Sequence, residues 1–166
     1  MKLSLVAAIG RNNELGKNNE LIWRFKEDMK FFKETTINHD IIMGRKTFES
    51  LPELLKERKH LVLSRSSLII PEVIIYNDLK QFLEEYKNID KEVFCIGGAN
   101  LYSQMIEYAS DLYLTEIDEE DNAADAYFPK FDKENYDSNI LCNHIDEKTG
   151  ISFKHVLYKR RTYGKR

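Results

Sequence analysis

A single acid on an apolar helical stripe is the feature of this chain that points most directly to chemistry. Residues 26–36 are predicted to form a helix. At about 3.6 residues per turn, Asp28, Phe31 and Phe32 fall on one stripe, and the lysines and glutamates fall opposite. An unpaired buried carboxylate is costly, so the pattern indicates a partner or a ligand. Trp23 favours a ligand pocket, because an indole offers an apolar wall and an N–H donor. An aspartate bonded to nearby backbone and a lone core tryptophan are the alternatives.

Three predicted strands each end in residue types that bind anions. In chain order the motifs are Met43-Gly44-Arg45-Lys46-Thr47, Leu63-Ser64-Arg65 and Ile96-Gly97-Gly98-Ala99. Backbone N–H groups beside cations attract phosphate, and tandem glycine lets a backbone approach a ligand closely. Ligands of open α/β sheets bind beyond the carboxyl ends of the strands, so the motifs together predict a cradle for a phosphate-rich ligand. The first motif alone could equally be a strand-to-helix turn with solvated Arg45 and Lys46, and the tandem glycine of the third does not form the G-x-G-x-x-G fingerprint.

The elements that must position these residues alternate between strand and helix. Apolar runs predict strands at 3–9, 41–44, 59–63, 73–76, 93–96 and 112–117, with helices at 26–36, 78–86 and 99–108 and a further helix starting near Thr47. Strands at 136–142 and 151–158 flank a turn at 146–150, which predicts an antiparallel hairpin. Residues 10–20 are predicted to be a long polar loop that serves as a lid or binding loop. The order indicates an α/β fold with a mostly parallel sheet and an antiparallel edge.

Composition and charge restrict the function classes. The 166 residues suit one domain, and the net charge of -3 argues against a general nucleic-acid or membrane surface. No apolar run approaches the ~20 residues of a membrane span. The short apolar start lacks a cleavage pattern and is predicted to be a strand, not a signal peptide. Cys95 and Cys142 have no metal-ligand spacing, so they are predicted to be buried thiols, with neither a disulfide nor a metal site.

With these residues in order, the chain resembles the dihydrofolate reductase family over essentially its whole length. The resemblance is carried by Trp23, Asp28, Ile42-Met43-Gly44-Arg45-Lys46-Thr47, Arg58, Leu63-Ser64-Arg65, Ile96-Gly97-Gly98 and Tyr113-Leu114-Thr115. It implies a single domain over residues 1–166, an eight-stranded, mostly parallel sheet with an antiparallel C-terminal hairpin strand, and helices on both faces. It also implies reduction of 7,8-dihydrofolate to 5,6,7,8-tetrahydrofolate with NADPH, in support of one-carbon metabolism and thymidylate synthesis. A cytoplasmic monomer is expected, one that binds dihydrofolate and antifolate-type molecules but neither nucleic acid nor membranes.

The resemblance also implies roles for individual residues on the substrate side. Asp28 would be the acid of the pterin pocket, and Thr115 would bond both Asp28 and the pterin 2-amino group. Trp23 would hold an ordered water, and Leu21 would lie in a mobile loop that closes over the nicotinamide and admits the water that protonates N5. The remaining residues implied to bind substrate are Val6, Ala7, Met29, Phe32, Leu51, Leu55 and Arg58, the last pairing with the substrate's α-carboxylate.

On the cofactor side the resemblance implies contacts from all three strand ends. The residues are Ala8, Leu15, Gly16, Gly44, Arg45, Lys46, Thr47, Leu63, Ser64, Arg65, Ile96, Gly97, Gly98, Ala99, Asn100, Leu101 and Tyr102. Within this set Ser64 and Arg65 would select the 2′-phosphate of NADPH, and the Gly97–Gly98 bond would be cis.

The sequence departs from the family pattern at several positions. Ile22 and Lys26 stand where the family has prolines, so a looser entry loop and altered loop closure are expected. Glu57 is expected to compete for Arg58. Asn100 stands where several relatives carry arginine, which would leave more of the 2′-phosphate charge to Arg45 and Arg65.

Two other functions share parts of these patterns. An NADPH-dependent pyrimidine reductase of riboflavin synthesis has the same sheet and cofactor site, but it has no need of Trp23 and Asp28 with Thr115. A non-catalytic NADP- or folate-binding module is the alternative outside the enzymes.

Overall fold

The strands and helices follow the periodicities of the sequence closely. The structure is a computed structural model that describes residues 1–67 and 69–162. Its helices are α1 (Lys26–Thr36), α2 (Arg45–Ser50), α3 (Leu79–Tyr86) and α4 (Ala99–Met105), with 3-10 turns at Ile106–Tyr108 and Lys133–Asn135. Its strands are β1 (Lys2–Ile9), β2 (Glu14–Lys17), β3 (Glu20–Leu21), β4 (Asp40–Gly44), β5 (Lys59–Leu63), β6 (Val73–Tyr76), β7 (Glu92–Cys95), β8 (Asp111–Ile117), β9 (Ala126–Tyr127), β10 (Tyr136–Ile145) and β11 (Ser152–Arg160).

The main sheet confirms the predicted topology. Over the described residues it has eight strands in the order β10-β11-β8-β1-β7-β4-β5-β6. Strand β11 runs antiparallel to β8 and β10, and the other pairings are parallel. The hairpin strands are longer than predicted. Most residues of β10 are exposed, and the three residues beyond the predicted end, Asn143, His144 and Ile145, do not continue an apolar run in the sequence.

Helices cover both faces of the sheet, as the resemblance implied. Leu5 of β1 packs in one core cluster with Phe82 of α3 and Met105 of α4. The next residue, Val6, packs in a second cluster with Phe32 of α1. Because successive strand residues point to opposite faces, α1 and α3 lie on different sides of the sheet. Leu5 is 0% exposed, and burial of such a side chain contributes about 1.5–3 kcal/mol.

The prediction that residues 10–20 form a loop is wrong for residues 14–17 and for residue 20, which lie in strands. This segment holds β2 and β3, which form a small antiparallel sheet with β9. Glu14 is 1% exposed, and its carboxylate accepts hydrogen bonds from the backbone N–H groups of Asn12 and Asp121, each at 2.7 Å. A buried carboxylate that accepts from two backbone amides thus connects this segment, whose polar composition is typical of a loop, to the backbone at Asp121.

The start of α3 and the two thiols are local features that the structure defines. Asp78 caps α3 by accepting the N–H of Gln81 at 2.8 Å. Both cysteines are free, and Cys95 is buried, but Cys142 is exposed on the edge strand β10, so the prediction that it is buried is wrong. Across residues 1–67 and 69–162, none of the helices combines the length and apolar character that a membrane crossing requires.

Candidate active site

Asp28 lies in the first turn of α1, and its carboxylate faces the sheet. Thr115 on β8 donates a hydrogen bond from Oγ1 to Asp28 Oδ1, across 87 positions of sequence. The Asp28 side chain is 18% exposed and Thr115 is 2% exposed. The apolar neighbours on the stripe, Phe31 and Phe32, are partly buried, as the helical spacing predicted. The partner of the acid is thus a side chain from a distant strand, and the helix N-terminus adds a field that favours negative charge.

A cross-strand row of side chains forms the floor beneath this acid. The strand register places Ala8 of β1 beside Thr115, and Thr115 beside His155 of β11. The His155 ring stacks on Phe31 of α1, with centroids 3.9 Å apart and planes at 12°. Its Nε2 lies 3.4 Å from Asp28 Oδ1. Sequence reasoning missed His155, because strand register is needed to place it opposite Thr115.

Apolar residues that the resemblance assigned to the substrate pack together beside Asp28's helix. Val6, Phe32, Leu51 and Leu55 all belong to one cluster on the α1 side of the sheet. Ala7 packs against the cluster on the other side, so only its backbone faces the proposed pocket.

Trp23 is partly buried, whereas the apolar residues Leu21 and Met29 are exposed. Trp23 packs, with Ala8, against a small cluster that contains Phe25 and Phe153. Leu21 is 53% exposed and Met29 is 58% exposed, so both offer apolar surface to a ligand.

Arg58 is held at the end of α1. Its Nη1 donates to Thr36 Oγ1 at 3.1 Å, and its Nε donates to the carbonyl of Lys56 at 2.9 Å. Burial lowers the pKa of the Arg58 guanidinium, and the charge of Glu57 opposes that shift. Within the part of the chain that the structure describes, Arg58 forms no ion pair with Glu57. The expected competition is therefore limited to a longer-range charge effect.

The strand ends after β4 and β7 meet, as their positions in a parallel sheet predicted. The Gly44 N–H donates to the Gly97 carbonyl at 2.8 Å. A Cβ built on Gly98 would lie 3.4 Å from Thr47 Oγ1, so bare backbone and a hydroxyl share this surface. The Gly97–Gly98 peptide is cis, as the resemblance implied. Leu63, at the end of β5, pairs with Gly44 on the other side, which brings the third motif to the same edge.

The side chains of Arg45, Lys46 and Arg65 at this edge are all exposed to solvent. Arg45 also donates a hydrogen bond from Nε to Glu49 Oε2 at 3.1 Å. Ser64 is 8% exposed, and its hydroxyl shares a hydrogen bond of 2.9 Å with Ser66.

The rest of the implied cofactor set divides by burial. Asn100 is exposed and accepts a hydrogen bond from Gln104. Leu15, Leu101 and Tyr102 have buried side chains in the core, so a ligand could reach only their backbone. The set also includes Gly16, Ile96 and Ala99, which are buried or partly buried beside these residues.

A partly buried acid between an apolar helix stripe and the sheet, in a chain that also has glycine backbone and cations at its strand ends, is typical of a ligand-binding enzyme of the α/β class. Comparisons with known proteins make the class specific. The family model described as dihydrofolate reductase matches residues 2–160. A dihydrofolate reductase of Buchnera aphidicola (subsp. Schizaphis graminum) is 44% identical over 132 residues, which cover 79% of this chain and 81% of the relative. That of Bacillus subtilis (strain 168) is 34% identical over 167 residues, which cover 98% and 97%.

A solved structure shares the fold over nearly the whole chain. Dihydrofolate reductase from Enterococcus faecalis, complexed with NADP(H) and RAB-propyl, superimposes with a TM-score of 0.86 at 26% identity and covers 96% of each chain. The chain belongs to the dihydrofolate reductase family.

Proposed function

We propose that this chain reduces 7,8-dihydrofolate to 5,6,7,8-tetrahydrofolate with NADPH, and so supports one-carbon metabolism and thymidylate synthesis. The observation that carries the proposal is the hydrogen bond from Thr115 to Asp28 in a pocket floored by the sheet. Family membership supports the reaction, and this contact supports Asp28 as the group that recognises the substrate.

The pocket acid acts on the ring by charge and hydrogen bonding. An ionised Asp28 accepts hydrogen bonds from N3 and the 2-amino group of the pterin, and Thr115 fixes the carboxylate for that purpose. These ring atoms lie on the edge away from N5, so the proton that N5 gains is assigned to a water admitted past Leu21. The side chains of Val6, Met29, Phe32, Leu51 and Leu55, with the Ala7 backbone, surround the rings, and Trp23 orients a water beside the acid.

Arg58 is assigned to the α-carboxylate of the substrate tail. Two of its nitrogens are already engaged with Thr36 and Lys56, which fixes the direction of the guanidinium plane. A planar fork held in this way binds a carboxylate with less loss of side-chain entropy.

The strand-end edge fits NADPH. Exposed cations, a hydroxyl and glycine backbone at three adjoining strand ends match a ligand with several phosphates. Gly44, Arg45, Lys46 and Thr47, with the 96–102 segment, would hold the pyrophosphate and adjoining sugar, and Leu63, Ser64 and Arg65 the 2′-phosphate. Ala8, Leu15 and Gly16 would lie beside the nicotinamide. When bound, NADPH supplies the hydride for the substrate ring.

Four further assignments go with this function as proposals. The chain folds as one domain over residues 1–166, acts as a monomer, resides in the cytoplasm, and binds antifolate-type molecules in the substrate pocket. The complex of the Enterococcus faecalis enzyme, which contains RAB-propyl as well as NADP(H), supports the last of these. The pyrimidine reductase has no need of the contact between Thr115 and Asp28, and no contact described above favours the non-catalytic module over the enzyme.

The test is loss of NADPH absorbance on addition of dihydrofolate, comparing the wild type with Asp28→Asn. We expect turnover in the wild type and a loss of at least about tenfold in kcat/KM in the variant, because an amide cannot supply the charge. Oxidised cofactor without tetrahydrofolate, or an Asp28→Asn variant as active as the wild type, would overturn the assignment. NADPH binding without turnover would favour the non-catalytic module.

A further inference from the structure

A buried histidine without a hydrogen-bond partner lies directly behind the pocket acid. His155 is 2% exposed, and its Nε2 is buried and makes no hydrogen bond within residues 1–67 and 69–162. The nearest acidic oxygen is Asp28 Oδ1, 3.4 Å from Nε2, the same oxygen that accepts from Thr115. A buried polar atom left unpaired is costly, so this nitrogen needs a partner, and the carboxylate offers an acceptor to the tautomer that carries its proton on Nε2.

The imidazole is held against the acid by its surroundings. Phe31 lies three residues after Asp28 on α1 and stacks on the ring at 3.9 Å with a plane angle of 12°. On the strand side, His155 pairs in register with Thr115, so both groups rise from the sheet toward the same carboxylate. The ring cannot turn away from Asp28 without losing the stack on Phe31.

We propose that His155 is a positioning residue for Asp28: its Nε2–H donates to Oδ1 from the sheet side, fixes the carboxylate plane and stabilises its ionised form. This inference rests on the proposed function, in which Asp28 binds the pterin. It adds a second donor to the Thr115 hydroxyl, so that the acid meets the substrate already oriented.

Few other titratable groups face this pair. On the same face of the sheet these are Cys142 and His144 of β10. Lys154 and Glu116, paired at 3.8 Å, lie on the opposite face and do not face the pair. Cys142 stands opposite His155 in register, and the His144 ring lies 5.0 Å from the His155 ring. His144 is half-buried, so it provides a matched control for the loss of a nearby histidine.

The experiment compares His155→Phe, His155→Gln and His144→Gln in pH profiles of kcat/KM from about pH 5 to pH 9. Phenylalanine keeps the stack on Phe31 but has no donor, whereas the glutamine amide can donate from the position of Nε2. The acid limb is the part of the profile where kcat/KM falls as pH falls. We expect His155→Phe to move this limb up by about one pH unit, since the Asp28 carboxylate loses a hydrogen-bond donor. His155→Gln and His144→Gln should leave the limb within about 0.3 unit of the wild type.

Imidazole nitrogen NMR provides a readout that needs no turnover. The chain has four histidines, so His155→Gln assigns the His155 signal. We expect the wild type to carry the proton on Nε2, and Asp28→Asn to shift that signal, which tests the contact even if His155→Phe fails to fold.

Three results would overturn the inference. The first is an acid limb that does not move in His155→Phe, and the second is a fall in kcat/KM that is equal in both His155 variants at every pH. The third is an Nε2 that carries no proton in the wild type. If the wild type reduced no dihydrofolate, the proposed function would fail while the NMR result still decided the contact. If Asp28→Asn lost activity while His155→Phe kept the wild-type pH profile, the proposed function would stand and the role of His155 would fail.

Discussion

Replacing Thr115 by valine should separate the positioning of the pocket acid from its charge. The two side chains have nearly the same shape, so valine keeps the packing of a residue that is 2% exposed. It removes the hydroxyl that donates to Asp28 Oδ1. The carboxylate stays in the pocket but loses the donor that fixes its plane.

The expected size follows from the energy of a hydrogen bond to a charged group, about 1.5–3 kcal/mol. Since about 1.4 kcal/mol corresponds to a factor of ten, kcat/KM for dihydrofolate should fall roughly 10- to 150-fold. Thr115→Ser keeps the hydroxyl and should retain activity within about threefold, because its loss is limited to one methyl group. Steady-state kinetics with saturating NADPH give both values, and thermal unfolding shows whether the variants are folded.

A double-mutant cycle with Asp28→Asn tests the reasoning itself. If the hydroxyl acts through the carboxylate, Thr115→Val should cost less than about threefold once Asp28 is asparagine, because the two residues form one unit. An undiminished cost in that background, or equal activity of the serine and valine variants, would refute the assigned contact.

Three further predictions concern other parts of the fold. Gly97→Ala should weaken NADPH binding roughly tenfold and lower the free energy of unfolding by about 1–3 kcal/mol, because φ is +115° and its Cβ would lie 3.2 Å from an aromatic ring. Burial lowers the pKa of His60 from 6.5, so the unfolded state takes up its proton first as pH falls. The stability contribution is present above pH 6.5 and is lost as pH falls toward the folded-state pKa, so urea unfolding of His60→Gln should lose less stability between about pH 7.5 and pH 5. Burial raises the pKa of the Cys95 thiol to about 12, so mass spectrometry after iodoacetamide treatment should find only exposed Cys142 alkylated in the folded chain, and both thiols after unfolding.

Matched variants give each of these predictions an outcome that would contradict it. Gly150 also has a positive φ, +75°, but a Cβ there meets nothing within 4 Å, so Gly150→Ala measures the backbone cost alone. Equal losses of unfolding free energy in Gly97→Ala and Gly150→Ala would exclude the contact with the Tyr102 ring as a cause. If the free energy of unfolding fell equally with pH in the wild type and in His60→Gln, His60 would be excluded as a source of the pH dependence. Alkylation of folded Cys142→Ser would show that Cys95 is accessible.

The parts of the site that follow from one local pattern could be predicted from the sequence. The α1 stripe was visible because helical spacing separates Asp28 from the neighbouring charges, and its bounds are confirmed. The meeting of Gly44 with Gly97 followed from a general property of parallel sheets. The family resemblance supplied the strand count and the Thr115 contact, neither of which periodicity alone contains.

What could not be predicted depends on pairing between distant segments. The strands at 14–17, 20–21 and 126–127 are short and partly polar, and the first pairs with the last across more than 100 positions of sequence. Buried Glu14 accepts hydrogen bonds from backbone N–H groups beside them. His155 looked like one more strand residue until the register placed it next to Thr115 and under Asp28. Composition gives no signal for either arrangement.

The reversed strand β11 gives the pocket an unusual dependence on assembly. Asp28 lies near the start of the chain. Thr115 and His155 reach it from β8 and from β11, the C-terminal strand that pairs with β8. Until β11 docks, the floor is incomplete, so any molecule that prefers the finished pocket also holds that strand in place. Occupancy and C-terminal docking are then thermodynamically linked, and amide exchange in residues 152–160 should slow as the pocket fills.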